Sequence, residues 1–291
     1  HDAALAQYVR TAIDELLWEM TRQAESDPRS IDAVVITGNT AMLHLLTQTD
    51  PSCLARAPFL AAQLFGTQLT GAQLDLSCEA ARVYLPRCIS AFVGADTVCA
   101  LAASKIAQKH DTRMLVDIGT NGEIALCSEG EILCCSTAAG PAFEGAGISM
   151  GMPGADGAVD HVTMTDGVMQ AHVLGDAAPV GICGSGVVDA LACLLESRQM
   201  DASGLLEDDP SVIAAPVVLT QKDVRAVQLA KSAIAAGMET LTATAGVTYA
   251  QIQELAVAGG FGSYLNAQSA GTIGLIPPQL VPRVRVLGHA A

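Results

Sequence analysis

The chain has 291 residues, 51% of them hydrophobic and only 3% aromatic, and a net charge of −15. That is enough for one large or two medium domains with cores of Ala, Val, Leu and Ile. The acidic balance argues against a nucleic-acid partner and against an anionic membrane surface, since both call for Lys and Arg. It leaves open the binding of one nucleotide through backbone dipoles and a metal.

The nine cysteines are scattered, with no C-x-x-C pair and no signal peptide. An odd set of this kind reads as reduced thiols in a cytoplasmic protein. Cys134 and Cys135 are adjacent, which is poor geometry for joint metal ligation. Most of the nine are expected to be small buried hydrophobes. No run reaches the roughly 18 apolar residues of a membrane span.

In chain order, residues 3–25 carry Leu5, Val9, Ile13, Leu16, Leu17 and Met20 at three-and-four spacing. This predicts an amphipathic helix, stopped at Asp27-Pro28. IDAVVIT at 31–37 predicts a strand. Gly38-Asn39-Thr40 turns out of it, and Asn39 or Thr40 caps a helix through AMLHLL. His44, between apolar neighbours, reads as a buried, singly paired histidine, with a ligand-facing one as the other option. The strand at 31–37 needs sheet partners and none is evident before it. The sheet's first strands are therefore expected outside this chain, which would make it a fragment of a longer polypeptide. Residues 50–90 are Pro-broken and are expected to wrap one face of the first domain. Residues 91–108 start extended, turn at Gly94 and continue as an Ala-rich helix with Asp96 as candidate cap. A domain boundary is placed at Lys109-His110-Asp111.

Three short strands follow over 113–137: RMLVDIG, EIALCS and EILCCST, a meander turning at Ser128-Glu129-Gly130. Between the first two lies MLVDIGTNG, 114–122, where strand passes into a turn holding Gly119, Thr120 and Gly122. Such glycines free the backbone, and successive N–H groups can cup a phosphate. Asp117 stands at the strand end, where it can hold a magnesium ion or its water. A plain tight hairpin is the alternative. Residues 138–154, glycine-rich with Glu144 as their one charge, are expected to line a cleft. A small strand pair is expected over 155–180. Gly184, Ser185 and Gly186 then precede the helical pattern VVDALACLLESR, with Ser185 as candidate cap, and glycines there suit an anion or a nucleotide. A polar excursion at 199–218 returns to a strand-like VVL. Thr220 with Asp223 opens a helix at 221–242 whose apolar stripe is Val224, Val227, Ala230, Ile234, Met238 and Leu241. LAVAGGFGS at 255–263 is again strand into glycine turn. A short helix from Leu265 to Ile273 and a strand at 284–288 complete the order.

A three-stranded meander followed by alternating helices and strands is the ribonuclease-H-like arrangement. Seven segments then recur in order: GNTAMLHLL, FVGAD, DIGTNGE, STAAGPAFEGA, GICGSG, LTQKD with QLAK, and AGGFGSYL. The set resembles the ATPase domain of the reductive activators of corrinoid proteins, a branch of the actin, Hsp70 and sugar-kinase superfamily, over almost the whole chain. The resemblance implies an α/β, two-lobed fold cut short at both ends, with a partial first lobe at 1–110 and a second, nucleotide-binding lobe at 111–291. It implies ATP and Mg²⁺ as ligands, a corrinoid protein of a methyltransferase system as partner, and ATP-driven one-electron reduction of cob(II)amide to cob(I)amide. An iron–sulfur cluster is expected only in a part of the polypeptide outside this sequence, as is the first phosphate loop. The chain by itself is therefore expected to be a weak or inactive ATPase. His289 stands where the family tends to have Asn. A homodimer is left open.

Carried onto these positions, Gly119, Thr120, Asn121 and Gly122 hold the β and γ phosphates, and Asp117 positions Mg²⁺. Glu123 either shapes the hairpin or orients water. Gly259, Gly260, Phe261 and Gly262 lie along adenosine, and Gly184, Ser185 and Gly186 close the base side. Asp96 and Glu144 are candidates for placing the attacking water or are structural acceptors. The rival readings are an activator of 2-hydroxyacyl-CoA dehydratases, a small-molecule kinase and a nucleotide-gated scaffold.

Overall fold

The computed structural model describes residues 2–165 and 167–288. His289 lies outside them. By internal contacts the chain divides into one unit running to Ala103 and another beginning at Ser104.

The first unit opens with helix α1 (Asp2–Gln23). Its buried face is Ala6, Arg10, Leu17 and Thr21, while Leu5, Val9, Leu16 and Met20 are exposed. The predicted stripe is therefore rotated, and polar anchors explain the rotation. The Arg10 guanidinium donates to the Leu46 carbonyl at 2.9 and 3.0 Å and pairs with Asp75 at 2.6 Å. One turn on, Asp14 accepts from the Ser77 N–H and hydroxyl. These bonds fix which side of the helix faces inward, and leucines beyond that arc stay outside. Strand β1 (Ala33–Val35) leads to helix α2 (Thr40–Leu46), whose N-cap is Asn39, accepting from the Met42 N–H at 2.9 Å. His44 is fully buried. Its Nδ1–H donates to the Thr40 carbonyl at 2.7 Å, and its ring meets Phe65 edge-on.

Residues 50–90 do more than wrap. They supply strands β2 (Thr67–Thr70) and β3 (Arg82–Leu85). Strand β3 pairs parallel with β1 and antiparallel with β2, so β1 finds its partner after it in the chain. Strands of four residues between prolines and polar turns carry too little alternation to be read from sequence. Helix α3 (Ala95–Ser104) closes the unit.

The second unit is built on a five-stranded sheet. Strands β4 (Arg113–Ile118), β5 (Gly122–Ser128) and β6 (Glu131–Thr137) form the expected antiparallel meander. A smaller sheet follows, with β7 (Ala158–Thr165), β8 (Val168–Val173) and β9 (Gly181–Ile182). Helix α4 (Gly184–Glu196), the hairpin β10 (Ser211–Ala214) and β11 (Val217–Leu219), and helix α5 (Gln221–Ala245) come next. Strand β12 (Glu254–Ala258), helix α6 (Ala267–Thr272) and strand β13 (Val284–Gly288) end the order. The large sheet runs β13-β12-β4-β5-β6, with β12 parallel to both β4 and β13.

The six apolar residues expected to form the stripe of α5 are all buried. They join Met114, Val116, Ile118, Ile124 and Leu126 of the meander in one core. Gly122 and Gly237 are the close contacts that let α5 lie on the sheet; a Cβ on Gly122 would meet Ile234 at 3.0 Å and one on Gly237 would meet Ile124 at 2.5 Å. At the far end of the strands, Glu254 bridges Arg113 and Arg285 and so ties β12 to both neighbours. No described helix is long and apolar enough to cross a membrane.

The start of α5 is an acid-centred joint. Thr220 and Asp223 form a reciprocal capping box, and buried Asp223 also accepts the Ser149 N–H at 2.7 Å. Asp223→Ala would leave the N–H groups of Ser149 and Thr220 without their acceptor. It should cost about 2–4 kcal/mol in urea unfolding.

A second joint is pH-dependent. His172 Nδ1 sits 2.5 Å from buried Asp160, and that hydrogen bond, helped by the carboxylate's charge, raises the imidazole above its ordinary value. A raised histidine stabilises the fold fully below the ordinary value of about 6.5, and the contribution is lost as pH rises through the raised one. His172 is exposed, so the effect is screened and small. The unfolding midpoint should fall as pH rises above the ordinary histidine value of about 6.5, and His172→Gln should flatten that slope.

Candidate functional site

The site forms where β4 and β12 end side by side. Their parallel register pairs Ala258 with Asp117, so the turn after each strand begins at the same level. Gly259, the first residue past β12, has φ +92°, and a Cβ there would meet the Asp117 carboxylate oxygen at 2.6 Å and the Ile118 carbonyl at 2.8 Å. Only glycine lets the second turn lie this close to the first. In an open sheet, the carboxyl ends of parallel strands are where ligands are bound.

On the sheet, Asp117 stands directly opposite Glu123 of β5. Residues paired this way project to the same face. Alternation along β4 sends Met114, Val116 and Ile118 to the helix-covered core and Asp117 to the other side. Two adjacent carboxylates are a hard oxygen donor set of the kind Mg²⁺ accepts while keeping several waters. The donor chemistry of these residues therefore fits that ion.

Thr120 and Asn121 at the tip of the turn are exposed, Gly119 is half-buried and Gly122 is buried. Three hydrogen bonds join Thr120 to the segment that follows the meander. Gly140 N–H donates to the Thr120 carbonyl at 2.8 Å. The Thr120 N–H donates to one oxygen of Glu144 at 2.8 Å, and its hydroxyl donates to the other at 2.7 Å. Glu144 ends a short 3-10 turn, Pro141–Glu144, flanked by Gly140 and Gly145 at φ +79° and +82°.

Phe143 in that turn stacks on Phe261, ring centroids 4.9 Å apart and planes 22° apart. Phe261 follows Gly259 and Gly260 in the second glycine turn. One four-residue segment thus touches both turns. Phe143 is not among the sequence candidates; an aromatic beside Glu144, in a chain with five phenylalanines, is the signal the sequence offers for it.

The first turn of α4 locks this segment from behind. A Cβ on Gly184 would lie 1.9 Å from the Phe143 carbonyl oxygen, and one on Gly186 would lie 2.2 Å from that of Val159. Gly184, Ser185 and Gly186 are all buried. Ser185 does not cap the helix. The N-cap is Cys183, and Ser185 donates to the Asp160 carbonyl at 2.8 Å. These glycines are explained by packing. Gly262 is likewise buried against Val257, while Gly260 is exposed.

Asp96 belongs to the other unit. Helix α3 begins at Ala95, so Asp96 sits inside its first turn rather than at the cap. Its carboxylate accepts from the Thr97 N–H at 2.7 Å beside Gly94, and burial pushes its carboxyl up. The thiols of Cys127 and Cys134 are pushed up to about 11 by burial, which keeps them protonated and inert. Among the described residues no group of three or more His, Cys, Asp or Glu is arranged to hold a metal.

A two-unit α/β chain whose larger sheet ends in paired glycine turns belongs to the actin, Hsp70 and sugar-kinase class of folds. Family models divide it in the same sense: the C-terminal ASKHA domain of RACo matches residues 111–291 and the RACo middle region matches 1–109. The chain belongs to this RACo family. It is 33% identical to the corrinoid activation enzyme RamQ of Eubacterium limosum over 97% of its own length and 52% of that protein's. It is 27% identical to the [Co(II) methylated amine-specific corrinoid protein] reductase of Methanosarcina barkeri, over 91% of its length and 55% of that protein's. A solved structure, a reductive activator for corrinoid, iron–sulfur protein, superimposes with TM-score 0.87 at 30% identity, over 98% of this chain and 50% of the other. The chain spans about half the length of the relatives it matches.

Gly184→Ala must push the Pro141–Glu144 turn off α4. It should destabilise the second unit by about 1–3 kcal/mol. Near-UV circular dichroism should also lose the signal of the Phe143–Phe261 stack.

Proposed function

We propose that this chain is the ATP-hydrolysing part of a reductive activator of a corrinoid protein. In that reading ATP hydrolysis drives one electron from an iron–sulfur centre, carried outside residues 1–291, onto cob(II)amide to give cob(I)amide for methyl transfer. The observation that carries the reading is the seating of Gly259 against Asp117. It brings the phosphate-type and adenosine-type turns to one place. The names and chain coverage of the relatives support the corrinoid partner.

The geometry supports these proposed roles. The Gly119–Gly122 turn, closed by the Gly119 N–H on the Asn121 carbonyl at 3.1 Å, offers the Thr120 N–H and hydroxyl to phosphate oxygens. Phe261, held by Phe143, offers an apolar surface to the adenosine. Asp117, with Glu123 opposite, is placed to hold Mg²⁺, which when bound would neutralise phosphate charge. Gly184–Gly186 support the base side indirectly, by fixing the turn that bears Phe143. Phosphoryl transfer of this kind needs positioning and charge cancellation more than covalent chemistry.

The test uses the complete polypeptide that contains these residues, loaded with its cluster and mixed with a cob(II)alamin-bearing partner. MgATP should be hydrolysed, and cob(I)alamin should appear in the absorption spectrum only when ATP is present. Reduction that ignores ATP, or transfer of phosphate to a small molecule, would sink the reading. Asp117→Asn should lower the rate of hydrolysis roughly a hundredfold. Phe261→Ala should weaken MgATP binding about tenfold through loss of apolar contact, and calorimetric titration measures it.

A further inference from the structure

Glu144 occupies the two donors at the tip of the phosphate-type turn. Its two oxygens accept from the Thr120 N–H and the Thr120 hydroxyl at 2.8 and 2.7 Å. A Cβ on Gly119 would lie 3.3 Å from the same carboxylate, so the acid lies across the turn. Two oxygens of one anion on one N–H and one O–H is also how a terminal phosphoryl group would take these donors. From this geometry, and resting on the nucleotide reading above, we infer that Glu144 is a built-in competitor for the nucleotide's terminal phosphate. It fills the anion seat and sets the affinity of the site by having to leave.

The surroundings let the side chain move while its backbone stays. Glu144 is exposed, whereas Ala142 and Phe143 on the same turn are buried. The Phe143 carbonyl is wedged against Gly184, and its ring is stacked on Phe261. The carboxylate can therefore swing on its own rotatable bonds but cannot be carried away. Two consequences follow. The donors of Thr120 are held pre-oriented by an internal anion, so the turn needs no rearrangement when a phosphate arrives. The displaced charge also stays near the phosphate and opposes it. The first effect saves reorganisation, and the occupied seat outweighs it: only the fraction of molecules with Glu144 displaced is competent, so the observed dissociation constant is the intrinsic one divided by that fraction.

Removing the charge should therefore tighten binding, the opposite of what loss of a phosphate-holding or water-orienting group would do. Calorimetric titration of the complete polypeptide with MgATP measures this in wild type, Glu144→Gln and Glu144→Ala. The dissociation constant should fall about fivefold or more in both variants, since both lose the charge-assisted bonds to Thr120. The position is exposed, and equal urea midpoints check that the fold is retained. An unchanged or weaker constant in either variant overturns the competitor role while leaving the nucleotide reading intact, provided wild type binds. If neither wild type nor variants bind MgATP, the nucleotide reading itself falls and this inference with it. Binding by the variants alone would support the competitor role in its strongest form.

Discussion

The parallel pairing of β4 with β12 is the constraint on which the second unit rests. Its register sets Ala258 beside Asp117, and that pairing seats one glycine turn against the other. Register in a buried sheet is specified by side-chain alternation, and a slip by one residue inverts every side chain. Here a slip of β4 would drive Asp117 into the core now filled by Met114, Val116 and Ile118, leaving a carboxylate among aliphatic side chains. The same alternation that buries the core thus holds the acid on the opposite face of the sheet. The Glu254 bridge between Arg113 and Arg285 fastens the other end of the three parallel strands.

The second requirement is a rigid strut between the two turns, and the Pro141–Glu144 segment supplies it. It is tied to Thr120 through two hydrogen bonds from Glu144 and a third from Gly140 just before it, to Phe261 by ring stacking, and to α4 by a backbone contact that only glycine allows. The stack is worth about 0.5–1.5 kcal/mol beyond its area. The glycine contact adds no attraction of its own but removes freedom of position. Helix α4 is in turn anchored through Ser185 and Gly186 to β7. Placement is therefore passed from the small sheet to both turns through packed backbone rather than long side chains.

The parts legible in the sequence are those where local chemistry and tertiary demand coincide. The meander, the Thr220–Asp223 box and the α5 stripe belong to that group, and so does the Asn39 cap. The reading failed where a partner distant in sequence decides. The exposed leucines of α1 satisfy helical spacing, but Arg10 and Asp14 choose the face through Leu46, Asp75 and Ser77. Strands β2 and β3 are too short for alternation to register. The Gly184-Ser185-Gly186 run looks like an anion loop, yet each of its glycines answers to a carbonyl oxygen elsewhere in the chain. Sequence reveals that a glycine is wanted but not whether ligand or protein fills the space it leaves. Asp117, Thr120, Glu144, Gly259 and Phe261 are candidates the sequence offers, and contacts link Gly259 to Asp117, Glu144 to Thr120 and Phe261 to the turn that bears Glu144. Asp96 lies in the other unit.

On the proposed reading an acidic chain takes up a polyanion, and this is an electrostatic problem, since a net charge of −15 repels a nucleotide at long range. None of the residues proposed to hold the nucleotide is Lys or Arg, so on this reading its attraction is local. Backbone N–H groups at a glycine turn carry fixed partial positive charge and cost little to orient. Such donors, if left bare at the end of a strand, would have to be satisfied by water in ever-changing arrangements. A carboxylate carried by the protein solves that in a way water does not: it orders the turn and holds off adventitious anions. Its hold on the donors still ends where a phosphate ester, with more charge and a metal beside it, can replace it. On that reading the order of the turn and its selectivity for phosphate are two consequences of one contact, between Glu144 and Thr120.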